Sequence, residues 1–192
     1  MNHRVFIAIN PPENIKKKLL FFQRELKKIP ARWAKEDNLH ITLIFLGNLK
    51  DEELFEVSQV IQDVSRSVSP FTIRLNKICY GPPGKIPPRM IWILGEKSQP
   101  LANLRESSEK ELLAADKLGG IKIERREFAP HITLGRIRQW EWQRLDPEEI
   151  QETEKDISLS FEVQSIELME SRLKRGGTEY AILQTCNLEH EE

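Results

Sequence analysis

The stretch His40-Ile41-Thr42-Leu43-Ile44-Phe45-Leu46-Gly47 has a partner, His131-Ile132-Thr133-Leu134-Gly135-Arg136-Ile137-Arg138, in the other half of the chain. Both are rich in β-branched and apolar residues and flanked by turn-forming residues such as Gly47-Asn48, so each is predicted to form a strand. Because alternate side chains of a strand share a face, the histidine and threonine of each copy point one way. The apolar side chains, Phe45 among them, are expected on the opposite face, towards a core.

The pairing of the two copies makes them more informative than either alone. A single histidine on a strand is usually a structural residue with its hydrogen bonds satisfied. Here each histidine has a hydroxyl two residues on, on its own face, and the copies lie in opposite halves of the chain. Two such strands placed side by side would line one cleft.

Length and composition indicate a soluble globular protein. The 192 residues, 39% hydrophobic and 31% charged, are enough for one domain with a substantial core, and no apolar run approaches the roughly 20 residues of a membrane span. Neither a secretory signal nor paired cysteines are indicated, and Cys79 and Cys186 are expected to be reduced, packed thiols. We therefore expect a cytoplasmic protein without a membrane anchor, and a monomer.

The net charge of −1 argues against a protein that coats nucleic acid by charge alone. An anionic partner would have to be held by a local group of cations. Four such groups are present: Arg125-Arg126, Arg136 with Arg138, Lys85 with Arg89, and the segment 172–175. Only proximity to the histidines would select one of them as a phosphate ligand.

Hydrophobic periodicity predicts an alternation of strands and helices. Besides the two motif strands, strands are predicted over 4–10, 71–80, 90–94, 158–169 and 180–188. Helices are predicted over 13–29, 51–68 and 101–118, the last ended by Gly119-Gly120, with a short helical start at 146–149 and a final turn containing Gly176-Gly177.

Each half of the chain thus repeats a similar plan. The prediction is an α+β fold, a single domain over 1–192 made of two pseudo-symmetric lobes. Two antiparallel sheets would face each other across a central cleft, with the helices outside and the loop 81–88 near a lobe boundary. The histidine faces would meet in the cleft.

Two histidines suit the cleavage of a phosphodiester without a metal. One group must take a proton from the attacking oxygen and another must give a proton to the leaving oxygen. The unperturbed imidazole pKa of about 6.5 makes both forms available near neutrality. Thr42 and Thr133 would donate hydrogen bonds to the phosphoryl oxygens, with Arg136 as a charged clamp. Strict alternation places Arg136 on the wrong face, so a bulge or strand end at Gly135 is required.

Other classes of site have weaker support in the sequence. A zinc site needs three or four ligands, and no third ligand recurs near both copies. No Gly-x-Ser-x-Gly elbow or reactive cysteine context indicates a nucleophilic hydrolase. A module that only binds a phosphate end would use the same donors and stays open. Phe6 or Trp33 could stack on a base, although burial in the core is the alternative for each.

The paired motifs resemble the 2H phosphoesterase family, and within it the RNA 2′,3′-cyclic phosphodiesterases, also named 2′-5′ RNA ligases. Similar residues extend over nearly the whole chain: 4–9, Arg32-Trp33, 38–43, 45–47, Pro88-Arg89, Trp92, Phe128, 130–136, Ser171, Leu173, Gly177 and Tyr180. The main departure is Gly135, where the subfamily commonly has alanine.

The resemblance implies a duplicated bilobal fold and hydrolysis of a terminal 2′,3′-cyclic phosphate of RNA or a nucleotide to a 2′-phosphate, without metal or cofactor. In that scheme His40 protonates the departing 3′ oxygen and His131 activates water. Thr42, Thr133 and Arg136 hold the phosphate. Joining of 2′-5′ RNA ends, the reverse chemistry, is the alternative that the resemblance leaves open.

Overall fold

A computed structural model describes residues 2–118, 121, 123, 128–175 and 177–189. The described chain has an α+β fold with antiparallel strands, which confirms the predicted fold class. Its strands are β1 Asn2–Ile9, β2 Ala31–Trp33, β3 Ile41–Lys50, β4 Phe71–Gly81, β5 Met90–Gly95, β6 His131–Ile137, β7 Lys155–Val163, β8 Ser165–Lys174 and β9 Gly177–Asn187. Its α-helices are α1 Glu13–Glu25, α2 Asp51–Arg66, α3 Gln99–Ala114 and α4 Gln139–Trp142. Short 3₁₀ helices cover Glu36–Asn38, Asp116–Leu118 and Pro147–Glu149.

The strands form one hydrogen-bonded path in the order β7-β4-β5-β6-β3-β1-β8-β9, with β2 paired to β6. Its two halves, β7-β4-β5-β6 and β3-β1-β8-β9, meet where Ile41 of β3 pairs with Ile132 of β6. The two sheets expected from the sequence are therefore two halves of one sheet, joined through a single assigned residue pair. Ile41 and Ile132 each follow a motif histidine, so this junction brings the two motifs together.

The halves of the sheet are interleaved along the chain. Strands β1 and β3 pair with each other, and β1 also pairs with β8 from the end of the chain. Between them in sequence, β4 to β7 build the other half. The loop 81–88, expected near a lobe boundary, instead connects β4 and β5, which are neighbours in the same half.

The three long helices pack their apolar faces on the sheet, as their periodicity predicts. The buried side chains share helical spacing: Ile15 and Leu19 in α1, Val57, Ile61 and Val64 in α2, and Leu101, Leu104 and Leu112 in α3. Helix α1 ends at Glu25, before the expected end at Ile29, whereas Gly119-Gly120 and Gly176 lie outside the described residues. None of the helices in the described ranges has the length and apolar character needed to cross a bilayer.

Several predicted strand bounds differ from the structure. The strand predicted over 158–169 is two strands, because the chain leaves one half of the sheet at Gln164 and enters the other. The apolar alternation changes phase here, from Leu159, Phe161 and Val163 to Ile166 and Leu168, so the sequence carried a signal of the break that the prediction missed. Strand β3 continues past Gly47 to Lys50.

The main core joins both halves of the sheet to the helices, with Ile7, Ile41 and Ile132 fully buried. A second, small cluster lies on the alternate face of β1, where Phe6 packs with neighbours from β8 and β9. This second face of β1 is the one that contacts His40, which directly precedes β3.

Candidate active site

The four predicted motif side chains line one cavity of about 580 Å³. His40 directly precedes β3, and His131 is the first residue of β6. The Ile41–Ile132 pair holds these two chain segments side by side. The structure thus brings His40, Thr42, His131 and Thr133 into the same cleft, as the pairing of the motifs predicts.

The His40 ring is held through its Nδ1 atom. Nδ1 lies 2.8 Å from the carbonyl oxygen of Asn38, and since a carbonyl only accepts, Nδ1 carries the proton. In the neutral ring Nε2 then accepts from the Thr42 hydroxyl, with 3.1 Å between Nε2 and Oγ1. Phe6 and Tyr180 pack around the ring, with centroid distances of 4.9 and 5.0 Å. Packing and the Nδ1 hydrogen bond together fix the direction of Nε2.

His131 is held in the same way from the other half of the sheet. Its Nδ1 donates to the carbonyl oxygen of Ala129 over 2.7 Å, again two residues before the histidine. The ring stacks on the indole of Trp92, with 3.8 Å between centroids and 24° between planes. Both motif histidines therefore keep Nε2 as the atom that exchanges a proton.

Asn38 connects the first histidine to β9. Its side-chain Nδ2 donates to the carbonyl oxygen of Thr178 over 2.9 Å, and its Oδ1 accepts from the backbone N–H of Tyr180 over 3.3 Å. Its own carbonyl accepts from His40. Sequence reasoning did not assign Asn38 to the site, because its partners lie about 140 residues away in the chain.

Burial controls the protonation of both imidazoles. It lowers the pKa of His40 to about 4, with further lowering by the positive charge of protonated His131 and of Lys16, while the hydrogen bond to Asn38 opposes the shift. Burial also lowers the pKa of His131, opposed by its hydrogen bond to Ala129. Both rings are therefore neutral near pH 7 in the free protein, and an anion bound between them would favour the charged forms.

Two β-bulges decide which side chains enter the cavity. On β6 the pairing with β5 shifts by one residue between Thr133 and Gly135, which leaves Leu134 as the extra residue. A bulge reverses the alternation beyond it, so Arg136 joins the face of His131 and lines the cavity. The sequence placed the required bulge at Gly135, one residue too late. Gly135 instead makes room for Trp33, whose Cε3 would lie 2.9 Å from an added Cβ.

A second bulge lies on β3. The register with β1 shifts between Thr42 and Ile44, which leaves Leu43 as the extra residue. Phe45 consequently lines the cavity with 53% of its surface exposed. Its prediction as a core-facing residue is wrong, because the bulge reverses the alternation. Phe45 and Arg136 each lie three residues after the motif threonine, so matched spacing in the two copies was the signal available in the sequence.

The cavity is basic. Among its described lining residues four are cations, Arg32, Lys35, Arg105 and Arg136, and none is a carboxylate. Lys35 pairs with Glu179 and Arg105 with Glu109, two carboxylates that do not line the cavity. The other predicted basic groups lie elsewhere: Arg138 pairs with Glu141, Arg172 pairs with Glu170, and Lys85 and Arg89 do not line the cavity. Arg125-Arg126 fall outside the described residues.

Aromatic side chains and possible metal ligands complete the inventory of the site. Phe6 is buried at 2% exposure and contacts His40 by ring packing, whereas Trp33 is half-buried and lines the cavity. Within the described ranges, no three or more His, Cys, Asp or Glu side chains are grouped closely enough to hold a metal ion.

The fold and the paired His-x-Thr motifs define a two-histidine phosphoesterase. A family model described as "LigT like Phosphoesterase" matches residues 9–92 and again residues 95–180, and each match contains one motif. The chain belongs to this family, which confirms the resemblance drawn from the motifs.

Individual relatives agree with this assignment. An "RNA 2′,3′-cyclic phosphodiesterase" of Methanocaldococcus jannaschii is 33% identical over 94% of this chain and 98% of its own. The crystal structure of a Thermus thermophilus protein superposes with a TM-score of 0.84 at 26% identity, covering 98% of this chain and all of that one. E. coli LigT complexed with 3′-AMP, at 23% identity and a TM-score of 0.79 over 99% of this chain and all of its own, has the same fold.

Proposed function

We propose that this protein hydrolyses the 2′,3′-cyclic phosphate at the end of an RNA to a 2′-phosphomonoester, by acid–base catalysis with His40 and His131. The observation that carries the proposal is the matched anchoring of two imidazoles through Nδ1 in one basic cavity. The name of the M. jannaschii relative supports the choice of substrate. The acid–base groups of the proposed reaction are side chains of the chain itself.

In the proposed reaction His131 takes a proton from water on Nε2, and the water oxygen attacks the phosphorus atom. The bond from phosphorus to the 3′ oxygen breaks, and Nε2–H of protonated His40 gives its proton to that oxygen. The negative charge of the bound cyclic phosphate raises the pKa of His40 and so supplies the acid form. Each proton transfer is typically worth about 10² to 10⁴ in rate.

Thr42, Thr133 and Arg136 would hold the phosphoryl oxygens. In the free protein the Thr42 hydroxyl donates to neutral His40. When His40 is protonated, Nε2 no longer accepts, and the Thr42 hydroxyl becomes available to donate to the phosphate. Arg136 brings a guanidinium, whose paired N–H groups suit phosphate oxygens. Protonation of His40 thus prepares the general acid and at the same time frees the Thr42 hydroxyl to bind the phosphate.

The decisive experiment is product analysis with a nucleoside 2′,3′-cyclic monophosphate and a cyclic-ended oligonucleotide. We expect 2′-phosphates, and a loss of turnover of about 10² or more in His40→Ala and in His131→Ala. His3→Gln, which changes a histidine outside the cavity, is the matched control and keeps turnover. Circular dichroism verifies that each variant is folded.

Several results would overturn the proposal. A 3′-phosphate product would reverse the leaving group, and full turnover in either cleft variant would remove that histidine from the reaction. Strong inhibition by EDTA would indicate a metal. Binding without turnover would identify a phosphate-end binding module, whereas joined 2′-5′ ends would show the reverse reaction.

A further inference from the structure

Two arginines stand directly opposite each other at the cavity. Strand β2 pairs with β6 so that Arg32 faces Arg136 across the two strands. Cross-strand partners project to the same side of a sheet, and both side chains line the cavity. Their guanidinium groups diverge from there: Arg136 Nη1 lies 3.8 Å from Sδ of Met90 on β5, whereas Arg32 extends to Gly177 at the start of β9. The two arginines can therefore hold two separate phosphates.

The surroundings of Arg32 hold its guanidinium towards the cavity. At the start of β9, Gly177 has a φ of +122°, a conformation that favours glycine. A Cβ added there would lie 2.9 Å from Arg32 Cζ and 2.9 Å from Nη2. The guanidinium therefore packs against the backbone at Gly177, and the side chain extends from β2 to the β8–β9 hairpin. This packing requires glycine at position 177, because a side chain there would clash with the Arg32 guanidinium.

The position of Arg136 relates the pair to the proposed reaction. Arg136 is three residues after Thr133 on the same cavity face, and Arg32 is its neighbour on the side away from β5. With the cyclic phosphate held by His131, Thr133 and Arg136, the Arg32 guanidinium is a second phosphate donor in the same cavity. In a terminal nucleotide the only other phosphate is the one on its 5′ side. A guanidinium binds phosphate through parallel N–H bonds and strong charge attraction.

We propose that Arg32 forms a second phosphate subsite beside the one that contains Arg136, and that it takes the phosphodiester on the 5′ side of the terminal nucleotide. The substrate class is then the end of an RNA chain, in preference to a free nucleoside 2′,3′-cyclic phosphate. This inference rests on the proposed function, because the reacting cyclic phosphate defines which nucleotide is terminal.

The test compares two small substrates that differ by one phosphate, cytidine 2′,3′-cyclic phosphate with and without a 5′-phosphate. In the unmodified protein we expect kcat/KM to be about tenfold or more higher with the 5′-phosphate, the effect of one charged hydrogen bond. Arg32→Gln should bring the ratio of the two kcat/KM values close to one. Arg32→Lys, which keeps the charge but loses the paired donors, should give an intermediate ratio.

Arg144→Gln is the matched control, because Arg144 is exposed, lies over the Trp140 ring and does not line the cavity. It should keep the ratio of the unmodified protein. Equal kcat/KM values for the two substrates in the unmodified protein, or an unchanged ratio in Arg32→Gln, would overturn the subsite and leave the proposed function standing. If neither substrate is hydrolysed, the proposed function fails and the subsite fails with it.

Discussion

His40 and His131 show how a side chain's surroundings set its chemistry. Each is fixed through Nδ1 by a carbonyl two residues earlier, and each has its pKa lowered by burial. The hydrogen bond opposes the shift in both cases, so desolvation is the larger effect. The free site is therefore uncharged near neutrality and gains charge when an anion enters.

This predicts an acidic pH optimum for kcat/KM, which reports the ionisations of the free protein. The reactive form carries one proton in the histidine pair. The value of kcat/KM should therefore rise with pH through the His40 pKa of about 4. It should fall above the His131 pKa, which lies below its ordinary 6.5. The optimum in kcat should lie at higher pH, because the bound phosphate raises the pKa of His40. Steady-state kinetics from about pH 3.5 to 9 measure both. A kcat/KM optimum above pH 7 would contradict the lowered pKa values.

Asn38 is a positioning residue whose loss should change how His40 ionises. Asn38→Ala removes two hydrogen bonds to β9, which typically costs about 1–3 kcal/mol of stability. Loosening its carbonyl also weakens a hydrogen bond that raises the His40 pKa, so the acid limb of kcat/KM should move to lower pH and kcat should fall.

Asn38→Asp keeps the acceptor for the Tyr180 N–H but loses the donor to Thr178, so its kcat should be intermediate. Asn103→Ala, at an exposed position of α3, is the matched control. A stability loss in Asn38→Ala without any change in kcat or in the pH profile would restrict Asn38 to a structural role.

At the scale of single elements, periodicity identified the three long helices and the two motif strands but missed what happens inside the strands. The bulges at Leu43 and Leu134 depend on register against β1 and β5, which are partners that alternation within one strand cannot specify. Phe45 was therefore assigned to the wrong face. Arg136 was assigned to the cleft only by requiring a bulge.

A side chain introduced at Gly81 should have a steric effect on Trp92 of β5, next to His131. A Cβ at Gly81, the last residue of β4, would lie 2.6 Å from Cε3 and 2.7 Å from Cε2 of Trp92, the residue that stacks on His131. Gly81→Ala should therefore displace the indole, cost about 1–3 kcal/mol of stability as overpacking does, and lower kcat. Thermal unfolding and steady-state kinetics measure the two effects.

A double variant provides the control for this steric explanation. Trp92→Ala removes the indole atoms, Cδ2 among them, that the methyl group introduced by Gly81→Ala would meet. Combining the two substitutions should therefore restore stability towards that of Trp92→Ala alone. Additive losses of unfolding free energy in the double variant would show that Gly81 acts independently of Trp92.

For the molecule as a whole, the sequence predicted the class and the cleft more successfully than the connectivity. Each half of the chain repeats a similar order of elements, which favours lobes that are contiguous in sequence. The structure instead places β8 and β9 beside β1, while β4 to β7 form the other half of the sheet. Pairing of β1 with β8 joins residues about 160 positions apart, and no local pattern encodes such a partner.

Interleaving predicts that the two halves of the sheet unfold together. All four tryptophans lie outside β3-β1-β8-β9, in β2, β5 and α4, so their fluorescence reports on the other half. Ile7→Ala, at a fully buried site of β1, should cost about 2–5 kcal/mol. Because one core cluster contains residues from both halves, this variant should shift the urea midpoints of tryptophan fluorescence and far-UV circular dichroism equally. The matched variant Ile93→Ala in β5 should behave alike, whereas a fluorescence midpoint unmoved by Ile7→Ala would mean that the halves are independent folding units.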